Sequence, residues 1–281
     1  MANTRQHQVH EHKLEKLVKS MPFYITEYVD NKLDTRSPST LLNYVLDYKL
    51  FLEWLIAEGI TTVSTIREIP LSVLENLKLV EARSFIEFLE RRNIPINKKE
   101  TKKAEKVSIN RKISALRSLY KYLTIQTEND EGEPYFYRNV MLKIEVNKLK
   151  ETLSARASKI SEKIFHNDDD ARFLDFVKND YVNEIPENSR KIIYFKRDKE
   201  RDLAVLSLFL GSGIRVNELS NLRLRDLDFE GNQIHVLRKG GKHDVVAVAP
   251  PSMQDVKNFL NIRVSRYNGS SEELDCIPYK D

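Results

Sequence analysis

Leu203-Ala-Val-Leu-Ser-Leu-Phe-Leu-Gly-Ser-Gly-Ile-Arg-Val-Asn-Glu-Leu-Ser-Asn-Leu222 is the stretch around which the chain is organised. Its first eight residues are apolar almost without interruption, the pattern of a buried helix rather than of a one-faced surface helix. Gly211-Ser212-Gly213 breaks the run, and glycine is the residue that ends a helix in a left-handed conformation. A second helix follows at once, with Leu219 and Leu222 at core spacing. Arg215 stands at the junction between the two. A guanidinium held there by a buried scaffold is a rigid, permanently charged fork suited to a phosphate. Glu218, three residues on, shares its helix face and can brace it. An isolated R-x-x-E is more often a plain helix-face ion pair, so context has to decide.

Composition narrows the classes. The chain has 281 residues, enough for two domains, with 41% hydrophobic and 31% charged residues, the profile of a soluble globular protein. The single cysteine, Cys276, excludes an intrachain disulfide and fits a reducing compartment. No Cys/His cluster suggests structural zinc, and His7, His10 and His12 fall in a polar N-terminal stretch. No apolar run is long enough to span a membrane, and the N-terminus lacks a signal-peptide core, so a cytoplasmic location is expected. A net charge of +4 says little by itself. Its distribution says more. Between Lys98 and Lys121 nine basic residues face two acids.

Outward from the central stretch, the N-terminal half reads as helices. Residues 1–20 are a polar lead-in, frayed or helical, and Met21 to Leu33 is a short amphipathic helix. Ser37-Pro38 starts the clearest helix, with Leu41, Leu42, Val45, Tyr48, Leu52, Leu55 and Ile56 on one stripe and Gly59 at its end. Two shorter helical pieces span 72–79 and 80–92. The basic segment is a loop followed by a helix capped by Ser108, whose core stripe is Ile109, Ile113, Leu116, Tyr120 and Leu123. Lys106, Asn110, Arg111, Ser114, Arg117 and Lys121 fall at its start or off that stripe. These residue types grip phosphates and read base edges, although a charge run is often just a solvated face. Thr124 to Asn139 reads as a polar excursion.

The expected domains are a helical unit over 21–150, a linker over 151–168 and a second unit over 169–281. Asn167-Asp-Asp-Asp170 suits a helix N-terminus better than a calcium loop, since no turn glycine or closing glutamate follows at the required spacing. After Leu222 the pattern alternates: Ile234, Val236 and Arg238 form a strand, Lys239-Gly-Gly-Lys242 a hairpin turn, and 244–249 the return strand, which Pro250-Pro251 stops. The fold class is therefore mainly α with a small antiparallel β-sheet.

A basic helical N-terminal half, then G-S-G-I-R-V-N-E-L-S-N-L, then a hairpin ending in R-K-G-G-K together resemble the tyrosine recombinases, the phage-integrase family. The segments around Tyr44–Gly59 and Tyr194–Leu222 are similar to the single-recombinase form of the Xer chromosome-dimer resolution branch. The resemblance implies a SAM-like helical core-binding domain followed by an α+β catalytic domain, the two clamping double-stranded DNA. It implies that four protomers join on two sites, with a divisome or DNA-translocase protein as a further partner, no membrane, no metal and no other cofactor. By position, Arg215 corresponds to the first catalytic arginine, Glu218 to the acid that orients it and Lys239 to the hairpin lysine, with Lys242 beside it as a DNA contact. The family's H-x-x-R helix beyond the hairpin and its nucleophilic tyrosine have no counterpart here. His235-Val-Leu-Arg238 matches by letters only, because strand alternation sends the two side chains to opposite faces. Neither Tyr267 nor Tyr279 follows a suitable block. The chain is therefore expected to stop inside the catalytic domain, leaving the apolar surface of 203–210 partly uncovered, and to bind DNA without cleaving it. The alternatives are a non-catalytic DNA-binding accessory or remnant, a mobile-element integrase, and a helical protein-interaction scaffold.

Overall fold

The computed structural model describes residues 5–95, 97, 100–145, 152–238 and 240–267. The described residues form two compact units, 5–145 and 152–267.

The N-terminal unit contains α1 (Arg5–Val18), α2 (Phe23–Lys32), α3 (Pro38–Ala57), α4 (Leu71–Glu75) and α5 (Leu79–Arg91), then a two-stranded hairpin, β1 (Asn93–Pro95) with β2 (Thr101–Lys103), and α6 (Lys106–Ile125). Helix α3 starts as its sequence dictates: the Thr40 amide donates to Ser37 Oγ at 3.3 Å and Pro38 occupies the first turn. Leu41, Val45, Tyr48, Leu52 and Leu55 of α3 are buried together with Ile109, Ile113, Leu116, Tyr120 and Leu123 of α6. Each such side chain contributes about 1.5–3 kcal/mol when removed from water. Two tyrosine hydroxyls fix the helices' relative setting. Tyr48 donates to the Ala115 carbonyl and Tyr120 to the Leu74 carbonyl, each at 3.0 Å.

Two segments join this core that their composition disguises. The polar lead-in is α1, which lies on α3 and buries Leu14, with Leu17 and Val18 packed beside it. Three apolar residues at helical spacing suffice to dock a helix whose other positions are charged. The excursion after α6 folds back and buries Phe136, whose amide donates to the Leu123 carbonyl at 3.0 Å, followed by Val140 and Met141.

In the C-terminal unit the elements are α7 (Leu153–Ser161), α8 (Asp169–Asp175), α9 (Arg190–Ser212), α10 (Val216–Ser220), β3 (Leu227–Asp228), β4 (Gln233–Leu237), β5 (His243–Ala247) and α11 (Pro250–Tyr267). The sheet is antiparallel in the order β3-β4-β5, with Ile234 opposite Val246 and Val236 opposite Asp244. The segment from Met141 to about Ile164, which reads from sequence as a helix or linker, is helical over α7, with no side chain buried there. The Asp168–Asp170 acids do sit at the start of a helix, α8.

Helix α9 carries the apolar run, but only one face of it is buried. Leu203, Ala204, Ser207 and Leu208 are inside, while Val205, Leu206, Phe209 and Leu210 are half-buried. The inner face packs on α11, where Met253, Val256 and Phe259 complete the core with Ile214, Leu219, Ile234 and Val236. Pro250-Pro251 therefore opens a helix as well as ending the strand, a use that proline's fixed φ permits in a first turn. Among the described residues no helix is long and apolar enough to cross a membrane.

Candidate active site and nucleic-acid interface

The two glycines of the Gly-Ser-Gly break do different work. Gly213 ends α9 at φ +65°, its amide donating to the Phe209 carbonyl at 2.9 Å. Gly211 lets α11 approach: a Cβ there would lie 2.2 Å from Ser252 Oγ and 2.7 Å from Ser252 Cβ. The Ala249 amide donates to the Gly211 carbonyl at 2.9 Å, and Ser207 Oγ donates to Asp255 at 2.7 Å, so α9 and the start of α11 are locked by polar contacts as well as by packing. Ile214 is buried, and the chain turns into α10 at Arg215.

Glu218 is the hub of the site. Its carboxylate is only 4% exposed, and three donors meet it. Oε2 accepts the Arg215 amide at 2.9 Å and Arg238 Nη1 at 2.9 Å, while Oε1 accepts Arg215 Nη1 at 2.9 Å. Burial alone would raise the Glu218 pKa, but the Arg215 amide and the two guanidiniums outweigh it and hold the carboxyl below its usual range. The Arg215 side chain, held through one guanidinium nitrogen, Nη1, is 71% exposed. A guanidinium fixed by one donor and largely open to solvent has the geometry to receive an anion.

Arg238 comes from the other arm of the site. It follows β4 and pairs with two carboxylates, Glu218 and, through Nε at 2.9 Å, Asp244 on β5. Both contacts raise its pKa, and the Asp244 carboxyl is correspondingly lowered. The hairpin closes with the Arg238 amide donating to the Lys242 carbonyl at 2.8 Å, and Lys242 is exposed. Lys239 lies outside the described residues; its neighbour Arg238 shares one carboxylate with Arg215. His235 is exposed on β4, and Arg238 is turned onto Glu218, so the letters H-x-x-R here mark a strand and its end, not a catalytic helix.

The α6 residues separate into two groups. Lys106, Ser114 and Lys121 are exposed, and Asn110 is half-buried. Ser114 Oγ donates to its own helix at the Asn110 carbonyl, 2.9 Å away. Arg111 is anchored: its guanidinium grips buried Asp47 of α3 at 2.7 and 3.0 Å, and Lys112 joins at 3.1 Å. Arg117 is turned inward, donating from Nε to the Met141 carbonyl at 3.1 Å and to the Ile144 carbonyl as well. Its donors serve the turn after α6.

Asp47, Arg238 and Asp244 escaped the reading from sequence. Only Asp47 left a signal there, a lone carboxylate among the apolar positions of α3. The contacts of Arg238 depend on how the hairpin is folded over α10, which no local pattern records.

Comparison with known proteins assigns a family to both units. Residues 27–127 match the N-terminal SAM-like domain of phage integrases and residues 175–275 match the phage integrase family itself. The chain is 41% identical over 263 residues to tyrosine recombinase XerS of Streptococcus mutans and 43% identical over 263 residues to that of Streptococcus sanguinis. Each match covers 93% of this chain and 73% of the relative. Among solved structures, XerH recombinase in a pre-cleavage complex with its difH substrate superposes with a TM-score of 0.53 at 14% identity, covering 98% of this chain and 72% of that one. A post-cleavage XerH complex gives 0.51 at 16% identity, covering 86% of this chain, which spans 56% of that chain's length. At such identities the structures speak for the fold, and the sequence relatives speak for the family. An arginine fork braced by a buried glutamate, a hairpin folded beside it and a helical SAM-like unit ahead of both are the parts expected of one group, and the chain belongs to the phage integrase family, the tyrosine recombinases.

Proposed function

We propose that this protein is a site-specific DNA recombinase of the XerS type, acting on double-stranded DNA in chromosome-dimer resolution. The observation that carries the reading is the contrast within one ion pair: Glu218 is 4% exposed and Arg215 71%. In this reading Arg215 grips the scissile phosphate. Attack by a tyrosine on a phosphodiester builds extra negative charge on the nonbridging oxygens, and a preorganised guanidinium stabilises that charge as it develops. Lys239 protonates the departing 5′-oxygen, and Glu218 orients Arg215. The covalent 3′-phosphotyrosine conserves bond energy, so the chemistry requires neither ATP nor a metal. Lys106, Asn110, Arg111, Ser114, Lys121 and Lys242 supply DNA contacts, with Arg117 adding charge. Further protomers complete a tetramer on two sites, a translocase or division protein controls it, and the reaction takes place in the cytoplasm.

The 281 residues include Arg215 and Lys239 but no second arginine block and no assigned nucleophile, so the polypeptide is expected to bind DNA without cutting it. Gel shifts in rising salt test the first half: affinity should fall steeply, by about 0.9 logarithmic units per logarithmic unit of salt for each phosphate contact. Binding indifferent to salt would refute the reading. A covalent adduct on a nicked suicide duplex would refute the second half.

A further inference from the structure

Arg238 was given no role in the site, yet it joins the site's two arms. Its Nη1 lies 2.9 Å from Glu218 Oε2, the same oxygen that accepts the Arg215 amide, and its Nε lies 2.9 Å from Asp244 Oδ2 on the return strand. Glu218 cannot turn toward Arg215 alone, because its second oxygen is shared. We infer that Arg238 is a positioning residue for Arg215: held by Asp244, it fixes the Glu218 carboxylate and thereby sets where the Arg215 guanidinium points.

The chemistry favours an arginine in this place. A guanidinium is planar and offers donors on two edges, so it can hold two carboxylates in one plane at fixed angles. Nη1 takes Glu218 and Nε takes Asp244, which makes the hairpin and α10 one rigid body around a single carboxylate. Arg238 is 30% exposed against 71% for Arg215, so the outward fork is Arg215 and the inner brace is Arg238. The net charge of the cluster matters too. Two guanidiniums face two carboxylates, so the positive end presented to an anion is that of Arg215 while the charge of Arg238 is balanced within the protein.

This inference rests on the reading of Arg215 as a phosphate ligand, and a mutant cycle separates the two. The affinity of the 281-residue polypeptide for a fluorescein-labelled 40-base-pair duplex is measured by anisotropy across a salt series. Arg215→Gln should weaken binding about tenfold and lower the salt slope by about one. Arg238→Gln should weaken it about fivefold in the parent protein and not at all in the Arg215→Gln background, where affinity and slope should match the Arg215→Gln single variant. Asp244→Asn, at an exposed position that leaves the fold intact, should cost about twofold with the same dependence on Arg215. If Arg238→Gln melts the unit, Asp244→Asn decides alone. Losses that add in the double variant, with a slope drop of Arg238's own, would show Arg238 touching DNA itself and overturn the inference. Unchanged affinity in both Arg238→Gln and Asp244→Asn, with Arg215→Gln still weakened, would overturn it as well. A harmless Arg215→Gln would instead strike the phosphate reading, and this inference would fall with it.

Discussion

Asp47 in the N-terminal unit and Glu218 in the C-terminal unit invite comparison. Both side chains are 4% exposed, and both bridge two cations. Yet burial raises the Asp47 pKa despite Lys112 and Arg111, while at Glu218 the donors overcome burial and lower it. Two things differ. Asp47 lies deep among the packed helices, where burial weighs more against its charge, and it is met by the side chains of Arg111 and Lys112; Glu218 lies nearer the surface of its unit and also accepts a main-chain amide, Arg215 N–H, which the start of α10 fixes in place. A donor with no conformational freedom to lose stabilises the charged form more than a long side chain of equal charge. Asp47 ties two helices together; Glu218 holds a charge ready.

The comparison can be broken most directly at Glu218. Glu218→Gln should destabilise the C-terminal unit by about 3 kcal/mol, since it leaves two guanidiniums facing a neutral group, and urea unfolding followed by circular dichroism reads this. A loss no larger than that of an exposed surface pair would make the site an ordinary ion pair. Gly211→Ala should follow at about 2 kcal/mol, because the added Cβ meets Ser252 at 2.2 Å and pushes α11 from α9. Asp47→Asn should cost only about 1 kcal/mol, because burial already disfavours the charged carboxylate there and an amide oxygen can still accept from Arg111 and Lys112. The sole tryptophan, Trp54, lies in the N-terminal unit, so its fluorescence reports that variant separately.

The smallest effect is the sharpest in sign. At Glu218 the folded pKa is depressed, so its stabilisation is present above the unfolded value and is lost as pH falls through the folded value. At Asp47 the folded pKa is raised, so the folded state takes up its proton first, and that unit gains relative stability as pH falls from the folded value to the unfolded one. Carboxyl-carbon NMR titration should therefore show Asp47 protonating above the ordinary aspartate range and Glu218 below the ordinary glutamate range. Shifts of the same sign at both carboxylates would remove the contrast between them.

Much of the fold was legible because it repeats. The stripes of α3 and α6, the Ser37-Pro38 start and the hairpin are local patterns that period and turn chemistry dictate. What escaped was diluted or distant. Helix α1 docks through three apolar residues among polar and charged ones, Phe136 is flanked by tyrosines in a polar stretch, and α11 begins at two prolines that read as a stop. Within the site, Arg215 and Glu218 were visible as neighbours on one helix, three residues apart. Arg111 and Arg117 looked equivalent on the face of α6, but one grips Asp47 and the other caps carbonyls beyond the helix.

The amino-acid sequence by itself determined helices α3 and α6, the turn at Gly213 and the pairing of Arg215 with Glu218, because each depends on residues within a few positions of one another. Only the tertiary structure decided that Arg238, twenty residues later, would share that carboxylate, and that Asp47 would hold Arg111 rather than leave it to solvent. Side-chain type fixes what a group can bond to, but which partner arrives depends on the packing of apolar faces elsewhere in the chain.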